Sequence, residues 1–214
     1  YTLKSLKPSV KVYGVQAKGA PSMLNSIEHN RIEKLSTVST IADGIAVKEP
    51  GAHTFELVSK YVDGIVTVTE DEICAAILAM LEQQKLISEG AGAVAVAAAM
   101  YNKVPISGKK VICLVSGGNI DVTILSRVIG RGLDMSGRSY SVTIDLYDKP
   151  GQLMGVSKII AGLGGNIISV LHERSSTGNN VTGCYLRLVM ETRNSEHISM
   201  IRNALLDAGY MIVK

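Results

Sequence analysis

The chain changes its pattern of apolar residues once, near residues 130–137, and this change limits its fold more than any other feature. Before it, short β-branched runs alternate with helical stretches, and the runs lie at residues 10–15, 44–47, 64–68 and 110–115. Such alternation is typical of a parallel sheet covered by helices. The runs are mostly apolar, as strands buried on both faces should be. The first region is therefore predicted to be α/β.

Helices are predicted between these runs, at residues 21–29, 54–62, 70–85 and 91–102. The third is the clearest, because Thr69 and Glu72 form a capping box ahead of an apolar face. Gly90 and Gly92 flank the start of the alanine-rich fourth helix, where small side chains would let it pack close to a sheet or a ligand. Simple burial in a large core explains these glycines at least as well.

After residue 137 the order of predicted elements is different. Strands at 140–146, 166–172, 181–190 and 210–213 combine with helices at 151–163 and 196–208. The order β-α-β-β-α-β is that of the ferredoxin-like fold. Residues 175–180 suit a hairpin connection between the two middle strands. We expect a first domain at 1–131, a glycine-rich linker at 132–138 and a second domain at 139–214.

Composition excludes several classes of function. The 22 basic and 19 acidic residues are interspersed and leave a net charge of only +3, so neither nucleic acid nor a membrane is indicated as a partner. The most apolar window is too short to span a bilayer, and no signal peptide precedes it. Three cysteines in apolar stretches suit free thiols in the cytoplasm. The four histidines show no zinc-ligand spacing, so no metal site is predicted.

The sharpest local signal is the run Val-Ser-Gly-Gly-Asn-Ile-Asp at 115–121, which follows an apolar run and opens a helical pattern. Such a turn lies at the carboxyl edge of a parallel sheet, where α/β proteins bind ligands. Its glycines allow close backbone approach, and the Ser116 hydroxyl can donate or accept a hydrogen bond. A tight turn capped by Ser116 or Asp121 explains the same residues equally well.

Four motifs of the first region occur in the order and at the spacing of one enzyme family. They are Thr-Ile-Ala-Asp-Gly-Ile-Ala-Val-Lys-Glu-Pro-Gly at 40–51, Val-Thr-Val-Thr-Glu-Asp-Glu-Ile at 66–73, Ser-Glu-Gly-Ala-Gly-Ala at 88–93 and Ser-Gly-Gly-Asn at 116–119. Together they resemble threonine dehydratases, which are fold-type II pyridoxal-phosphate enzymes related to serine racemases. The resemblance implies that residues 1–131 are the C-terminal part of a catalytic domain with a three-layer parallel sheet.

The resemblance also implies roles for individual residues around pyridoxal 5'-phosphate. Ser116 would face the pyridine nitrogen of the cofactor, where a neutral hydroxyl moderates the electron sink. Gly117 would let the backbone approach the ring, Glu89 would lie beside it, and Gly51 would lie in the surrounding wall. Asn119 would line or brace the same turn.

Other parts of the family's machinery have no counterpart in this sequence. The family's Schiff-base lysine, in a serine-phenylalanine-lysine motif, and its phosphate-binding loop precede the matched motifs, and no such motif occurs here. Residues 1–7 resemble the helix that follows that loop. We therefore expect a fragment that contains no catalytic residue and is inactive alone.

One departure from the relatives concerns a divalent cation. Some serine racemases bind the cation through two carboxylates and a carbonyl, and the matching positions here are Gln16, Ala20 and Ser22. A neutral amide and a hydroxyl bind Mg²⁺ poorly, because hard cations prefer anionic oxygen. This favours a dehydratase without a metal, and a structural role for Gln16.

The second region resembles the ACT domain, an amino-acid-sensing module. The resemblance rests on Asp-Lys-Pro-Gly-Gln-Leu at 148–153 and Gly-Gly-Asn-Ile at 164–167. It implies an effector amino acid bound between two copies, and exposed amides at a helix N-terminus suit its α-carboxylate. The same proline-glycine pair also shapes ordinary turns. The residues expected to bind the effector are Asp148, Pro150, Gly151, Gln152, Leu153, Asn166 and Ile167.

The intact protein is accordingly expected to convert L-threonine to 2-oxobutanoate and ammonia, and L-serine to pyruvate. Its expected partners are this substrate, an amino-acid effector, and further copies of itself in a dimer or tetramer. Two alternatives stay open: a purely regulatory amino-acid-binding module, and a relative of serine racemases or serine deaminases. The identity of the effector also stays open, with isoleucine, valine and serine all compatible.

Overall fold

The structure, a computed structural model, describes residues 1–174 and 182–213 of the chain. It divides into two units, Tyr1–Gly132 and Leu133–Lys214. The expected linker at 132–138 is wrong in its first half, because the helix Val122–Met135 continues through it. Gly132 is buried, and a Cβ on it would lie 2.9 Å from Leu78 Cδ2. The glycine therefore serves close packing rather than chain reversal.

The first unit is mainly helical and has one pair of parallel strands. Strand β1 (Tyr13–Ala17) pairs with β2 (Gly64–Val68) in register, residue for residue. Its helices are α1 (Thr2–Leu6), α2 (Ser22–Glu28), α3 (Ala52–Tyr61), α4 (Glu70–Gln84), α5 (Gly90–Met100) and α6 (Val122–Met135). No helix of the described part of the chain is long and apolar enough to cross a membrane.

Two of the predicted strands do not form. Residues 44 and 45 belong to a 3₁₀ turn at Asp43–Ile45, residues 46 and 47 form no strand, and no described residue pairs with the backbone of 110–115. The side chains of Ile112 and Leu114 are 96% and 79% exposed. The β-branched composition was misleading because a strand also needs a neighbouring strand to satisfy its backbone groups.

The core of this unit lies around α4 and α5. The predicted capping box is confirmed: Thr69 Oγ1 accepts from the Glu72 amide, and Glu72 Oε2 accepts from the Thr69 amide at 2.8 Å. The apolar face that follows buries Ile73 and Ile77 completely. Helix α5 contributes small side chains, among them Ala97, so that the backbones can approach closely.

The second unit confirms the predicted β-α-β-β-α-β order. Its elements are β3 (Ser139–Tyr147), α7 (Gln152–Gly162), β4 (Asn166–Arg174), β5 (Gly183–Glu191), α8 (Ser195–Asp207) and β6 (Met211–Ile212). The antiparallel sheet has the strand order β4-β5-β3-β6, so β4 and β6 are its outer strands. Alternate residues of β3 and β5 pack on α7 and α8. The predicted hairpin connection at 175–180 lies outside the described residues.

His197 is the polar centre of this second core. It is 2% exposed, its Nδ1 accepts from the Arg193 amide at 3.1 Å, and its Nε2 lies 3.0 Å from the Leu163 carbonyl oxygen. These partners require the neutral tautomer with the proton on Nε2, since Nδ1 must accept and a carbonyl cannot donate. The imidazole therefore joins the start of α8 to the turn before β4.

We predict that His197→Ala lowers the local stability of α8 by about 2–4 kcal/mol, because it leaves a cavity, a carbonyl and an amide without partners. Amide hydrogen exchange along α8 measures this loss. Ser199→Ala on an exposed face of the same helix is the control, with an expected change of under about 0.5 kcal/mol. Equal exchange in the two variants would show that neither the hydrogen bonds nor the packing of the imidazole stabilises α8.

Candidate functional site

The start of α5 and the glycine turn at 116–118 are in direct contact. The Glu89 amide, at the N-cap of α5, donates to the Gly117 carbonyl oxygen at 3.2 Å. A Cβ on Gly117 would overlap the Glu89 carboxylate, and Gly117 has a φ of +78°. Only glycine combines that backbone conformation with so close a carboxylate. Ser116, Gly117 and Glu89 therefore form one cluster.

The two glycines of α5 explain how this cluster is assembled. A Cβ on Gly92 would overlap the Ser116 carbonyl oxygen, and a Cβ on Gly90 would lie 2.5 Å from the Ile41 carbonyl oxygen. The sequence predicted close packing of these glycines against a sheet or a ligand, and the structure packs them instead against the backbones of two loops. The start of helix α5 therefore packs between the loop at 40–44 and the turn at 116–118.

The loop at 40–44 is held in place from the opposite side. Glu70 Oε2 accepts from the Ile41 amide at 2.7 Å, and Thr40 Oγ1 accepts from the Ala42 amide at 3.0 Å. A Cβ on Gly44 would lie 3.3 Å from Glu89 Oε1. Three of the four motifs noted in the sequence therefore meet at the Glu89 carboxylate.

Two of the predicted cofactor residues show no described contact with this cluster. Gly51 is the exposed N-cap of α3, and its carbonyl oxygen accepts from Thr54 Oγ1 at 2.7 Å. Asn119 is also exposed. Next to it, the carboxylate of Asp121 accepts from the hydroxyl and amide of Thr123, which holds the pKa of Asp121 below its ordinary value. Asp121 thus caps the following helix, and this is the structural explanation of the turn that the sequence also allowed.

The residues at the positions that match the cation site of serine racemases form hydrogen bonds with neighbouring residues of this chain. Gln16 Oε1 accepts from the Leu24 amide at 2.8 Å, and Gln16 Nε2 donates to the Ala20 carbonyl oxygen at 3.3 Å. Ser22 is buried, and its carbonyl oxygen accepts from Ser26 Oγ. The half-buried amide of Gln16 therefore closes the loop between β1 and α2.

The predicted effector residues lie at opposite ends of the second sheet. Asp148 follows the end of β3, where Tyr147 is opposite Gly183, whereas Asn166 is opposite Glu191 at the other end of β5. Eight residues of strand separate these ends, or about 26 Å. Asn166 Nδ2 donates to Glu191 Oε2 at 2.8 Å. One copy of the unit does not bring the two groups of residues together.

The end of the sheet near Asp148 has open space beside the proline-glycine loop. Gly151 has a φ of +92°, and a Cβ on it would have no atom within 4 Å. It is the N-cap of α7 and is exposed, as is Leu153. A cleft of about 500 Å³ lies nearby, lined by Gln152 and Tyr210 among others. Gln152 is the one predicted effector residue that lines it.

The structure also brings together three residues that the sequence did not single out as a group. Asp148, His172 and Cys184 converge at this same end of the sheet. Burial, helped by the charges of Asp148 and Asp145, raises the pKa of the Cys184 thiol. Sequence spacing gives no signal for this cluster, because only the strand register joins the three residues.

Comparison with known proteins identifies the first unit. Residues 2–117 match the family model described as pyridoxal-phosphate dependent enzyme. The chain is 46% identical over 210 residues to an L-threonine ammonia-lyase of Thermotoga maritima and 39% identical over 210 residues to one of Geobacter sulfurreducens. Each alignment covers 98% of this chain and 52% of the relative, so the chain spans about half the length of these curated relatives.

A solved structure shares the fold of the first unit. The processed form of threonine deaminase isoform 2 from Solanum lycopersicum aligns with a TM-score of 0.56 and 35% identity, over 60% of this chain and 36% of that one. The sequence match, this structural match and the ordered motifs agree. The chain therefore belongs to the pyridoxal-phosphate dependent enzymes, and within them it is similar to threonine ammonia-lyases.

Proposed function

We propose that the first unit forms one wall of the pyridoxal-phosphate site of a threonine ammonia-lyase. The observation that carries this proposal is the convergence of the loop at 40–44, Glu89 and the Ser116–Gly117 turn on one exposed rim. Gly44 and Gly117 lie beside the Glu89 carboxylate and leave a surface without side chains, against which a flat ring could pack. The neutral hydroxyl of Ser116 suits an unprotonated pyridine nitrogen.

Each residue of this chain then has a defined task. When bound, the cofactor withdraws electrons from the α-carbon of an amino acid. The Ser116 hydroxyl would donate a hydrogen bond to the pyridine nitrogen, and Gly117 would leave room for the ring. Glu89, whose backbone amide donates a hydrogen bond to the Gly117 carbonyl oxygen, would keep a carboxylate at the ring's edge. Gly51 and Asn119 complete the wall and brace the turn.

In the proposed overall reaction, L-threonine loses its α-proton and β-hydroxyl as water, and hydrolysis of the released enamine consumes one water and gives 2-oxobutanoate and ammonia. L-Serine, which lacks the methyl group, gives pyruvate more slowly. The base that takes the α-proton and the groups that hold the cofactor phosphate come from outside these 214 residues in this proposal. The 214-residue chain alone is therefore expected to be inactive, and to retain no cofactor absorbance after incubation with the cofactor and desalting.

A test of the site is Ser116→Ala in the full-length enzyme. The pyridine nitrogen would lose its hydrogen-bond donor, at a cost of about 1–3 kcal/mol, so cofactor affinity should fall roughly tenfold or more. Cofactor titration followed by absorbance measures the affinity, and threonine turnover should fall with it. Ser36→Ala, on an exposed loop, is the matched control. Unchanged affinity in Ser116→Ala would reduce the turn to a structural role.

A second test concerns the divalent cation. We propose that the Gln16 amide takes the place of a bound Mg²⁺, because it already joins the Leu24 amide to the Ala20 carbonyl oxygen. Adding Mg²⁺ to the intact enzyme should leave threonine turnover unchanged within error. Strong stimulation by Mg²⁺ would point instead to a site like that of the serine racemases.

We propose further that the second unit is an ACT domain that binds an amino-acid effector between two copies. The argument is geometric: its two groups of predicted residues lie at opposite ends of the sheet, and β4 is an outer strand. Antiparallel pairing of β4 with β4 of a second copy would place Asn166 of one copy beside Asp148 of the other. Ile168 and Leu171, 59% and 45% exposed, would lie along that seam.

Gly151→Asp in the full-length enzyme tests the effector site. The new carboxylate occupies the open space beside the α7 N-terminus and repels the effector's α-carboxylate, so the effector response should be lost while basal turnover persists. Gly108→Asp is the matched control, since Gly108 also has a positive φ, of +69°, and open space. Thermal shifts with each of the twenty amino acids identify the effector.

The same proposal predicts that the 214-residue chain self-associates. Sedimentation should show a dimer or larger species, and the effector should increase its proportion because it binds both copies. A monomer that no amino acid stabilises would overturn both the pairing and the effector site.

A further inference from the structure

The end of the second sheet brings a carboxylate, an imidazole and a thiol together. The ligand atoms of Asp148, His172 and Cys184 all lie within 4.8 Å of one another. Asp148 and His172 are exposed, and Cys184 is buried beneath them. The cluster is therefore open to solvent on one side and closed by the core on the other.

The strand register explains why these residues meet. Arg174 of β4 is opposite Cys184 of β5, and His172, two residues earlier on β4, points to the same face of the sheet. Asp148 reaches this face because its amide donates to the Thr182 carbonyl oxygen at 2.8 Å, just before β5 begins. All three backbones are thus fixed by hydrogen bonds of the sheet or its immediate extension.

The chemistry of this set is that of a zinc site. Thiolate, neutral imidazole and carboxylate are the three ligand types that Zn²⁺ takes in proteins, whereas Mg²⁺ and Ca²⁺ prefer oxygen alone. In tetrahedral zinc sites neighbouring ligand atoms lie about 3.3 to 3.6 Å apart. Asp148 Oδ1 and His172 Nε2 lie 3.9 Å apart, and all three ligand atoms lie within 4.8 Å of one another, so side-chain adjustments of up to about 1 Å bring them to this spacing.

The surroundings orient the carboxylate for this purpose. Arg174 Nε lies 2.8 Å from Asp148 Oδ2, which leaves Oδ1 directed toward His172. Such a partner on the distal oxygen fixes a ligating carboxylate and is a regular feature of metal sites. Asp145 adds a second negative charge close enough to influence the Cys184 thiol.

We propose that Asp148, His172 and Cys184 bind Zn²⁺ through one oxygen, one nitrogen and one sulfur atom, with water in the fourth position. Binding exchanges the thiol proton for the metal, and the proton passes to the buffer. The buried thiol, which is protonated without metal, becomes a thiolate because the cation supplies the compensating charge. The site lies outside the proposed cofactor wall and does not depend on the proposed lyase activity.

Cobalt titration of the purified 214-residue chain tests this site, because Co²⁺ substitutes for Zn²⁺ and absorbs visibly. We expect one equivalent of Co²⁺ to give the visible bands of tetrahedral coordination and the near-ultraviolet charge-transfer band of a thiolate ligand. Excess Zn²⁺ should abolish both, since it binds the same site more tightly. Absence of the charge-transfer band in the wild-type chain overturns the proposal.

Single substitutions locate the ligands. Cys184→Ser should remove the charge-transfer band, and Asp148→Asn and His172→Gln should each weaken Co²⁺ binding about tenfold or more. Cys113→Ser and His53→Gln are the controls, since they remove a thiol and an exposed imidazole elsewhere in the chain. A band that persists in Cys184→Ser, or disappears in Cys113→Ser, assigns the metal elsewhere and overturns the proposal.

A second measurement is needed because Cys184 is buried, so that Cys184→Ser can lose metal binding simply by losing its fold. His172 is exposed, so His172→Gln should fold as the wild type does. Zn²⁺ should raise the melting temperature of the wild-type chain and of His53→Gln clearly more than that of His172→Gln, since only a site in the folded state gives this shift. Equal shifts in all three chains contradict the assignment.

Discussion

The contact of α5 with two backbones is the constraint on which the rest of the first unit depends. Gly90 and Gly92 remove every side-chain atom between the helix and the carbonyl oxygens of Ile41 and Ser116. The loop and the turn are thereby fixed relative to each other through one rigid helix. Glu89 is the N-cap of that helix, so the position of its carboxylate follows directly from this packing.

The second unit is organised by strand register rather than by a helix. Nine-residue strands separate the two motifs of the proposed effector site, so in that proposal the outer strand would bring them together between two copies. The same register collects Asp148, His172 and Cys184 at one end of one copy. In these proposals one copy of the sheet contains the whole zinc site, whereas the effector site is complete only when a second copy pairs with the first.

Local patterns predicted much of this molecule, and long-range pairing accounts for the errors. The capping box at Thr69 and the β-α-β-β-α-β order could be read directly, since both depend on neighbouring residues. The predicted strand at 110–115 does not form, because composition alone does not show whether a neighbouring strand is available to pair with it. Gly132 lies within the predicted linker, but in the structure it packs against Leu78 of helix α4, which is distant in sequence. The cofactor and effector assignments stay predictions drawn from motifs.

The run at 110–115 has a practical consequence for handling the chain. Its backbone pairs with no described residue, and Ile112 and Leu114 are largely exposed. An unpaired β-prone segment with outward apolar side chains is a template for strand addition between molecules. The solubility of the 214-residue chain should therefore improve when a lysine replaces Ile112, since charged edge residues oppose aggregation.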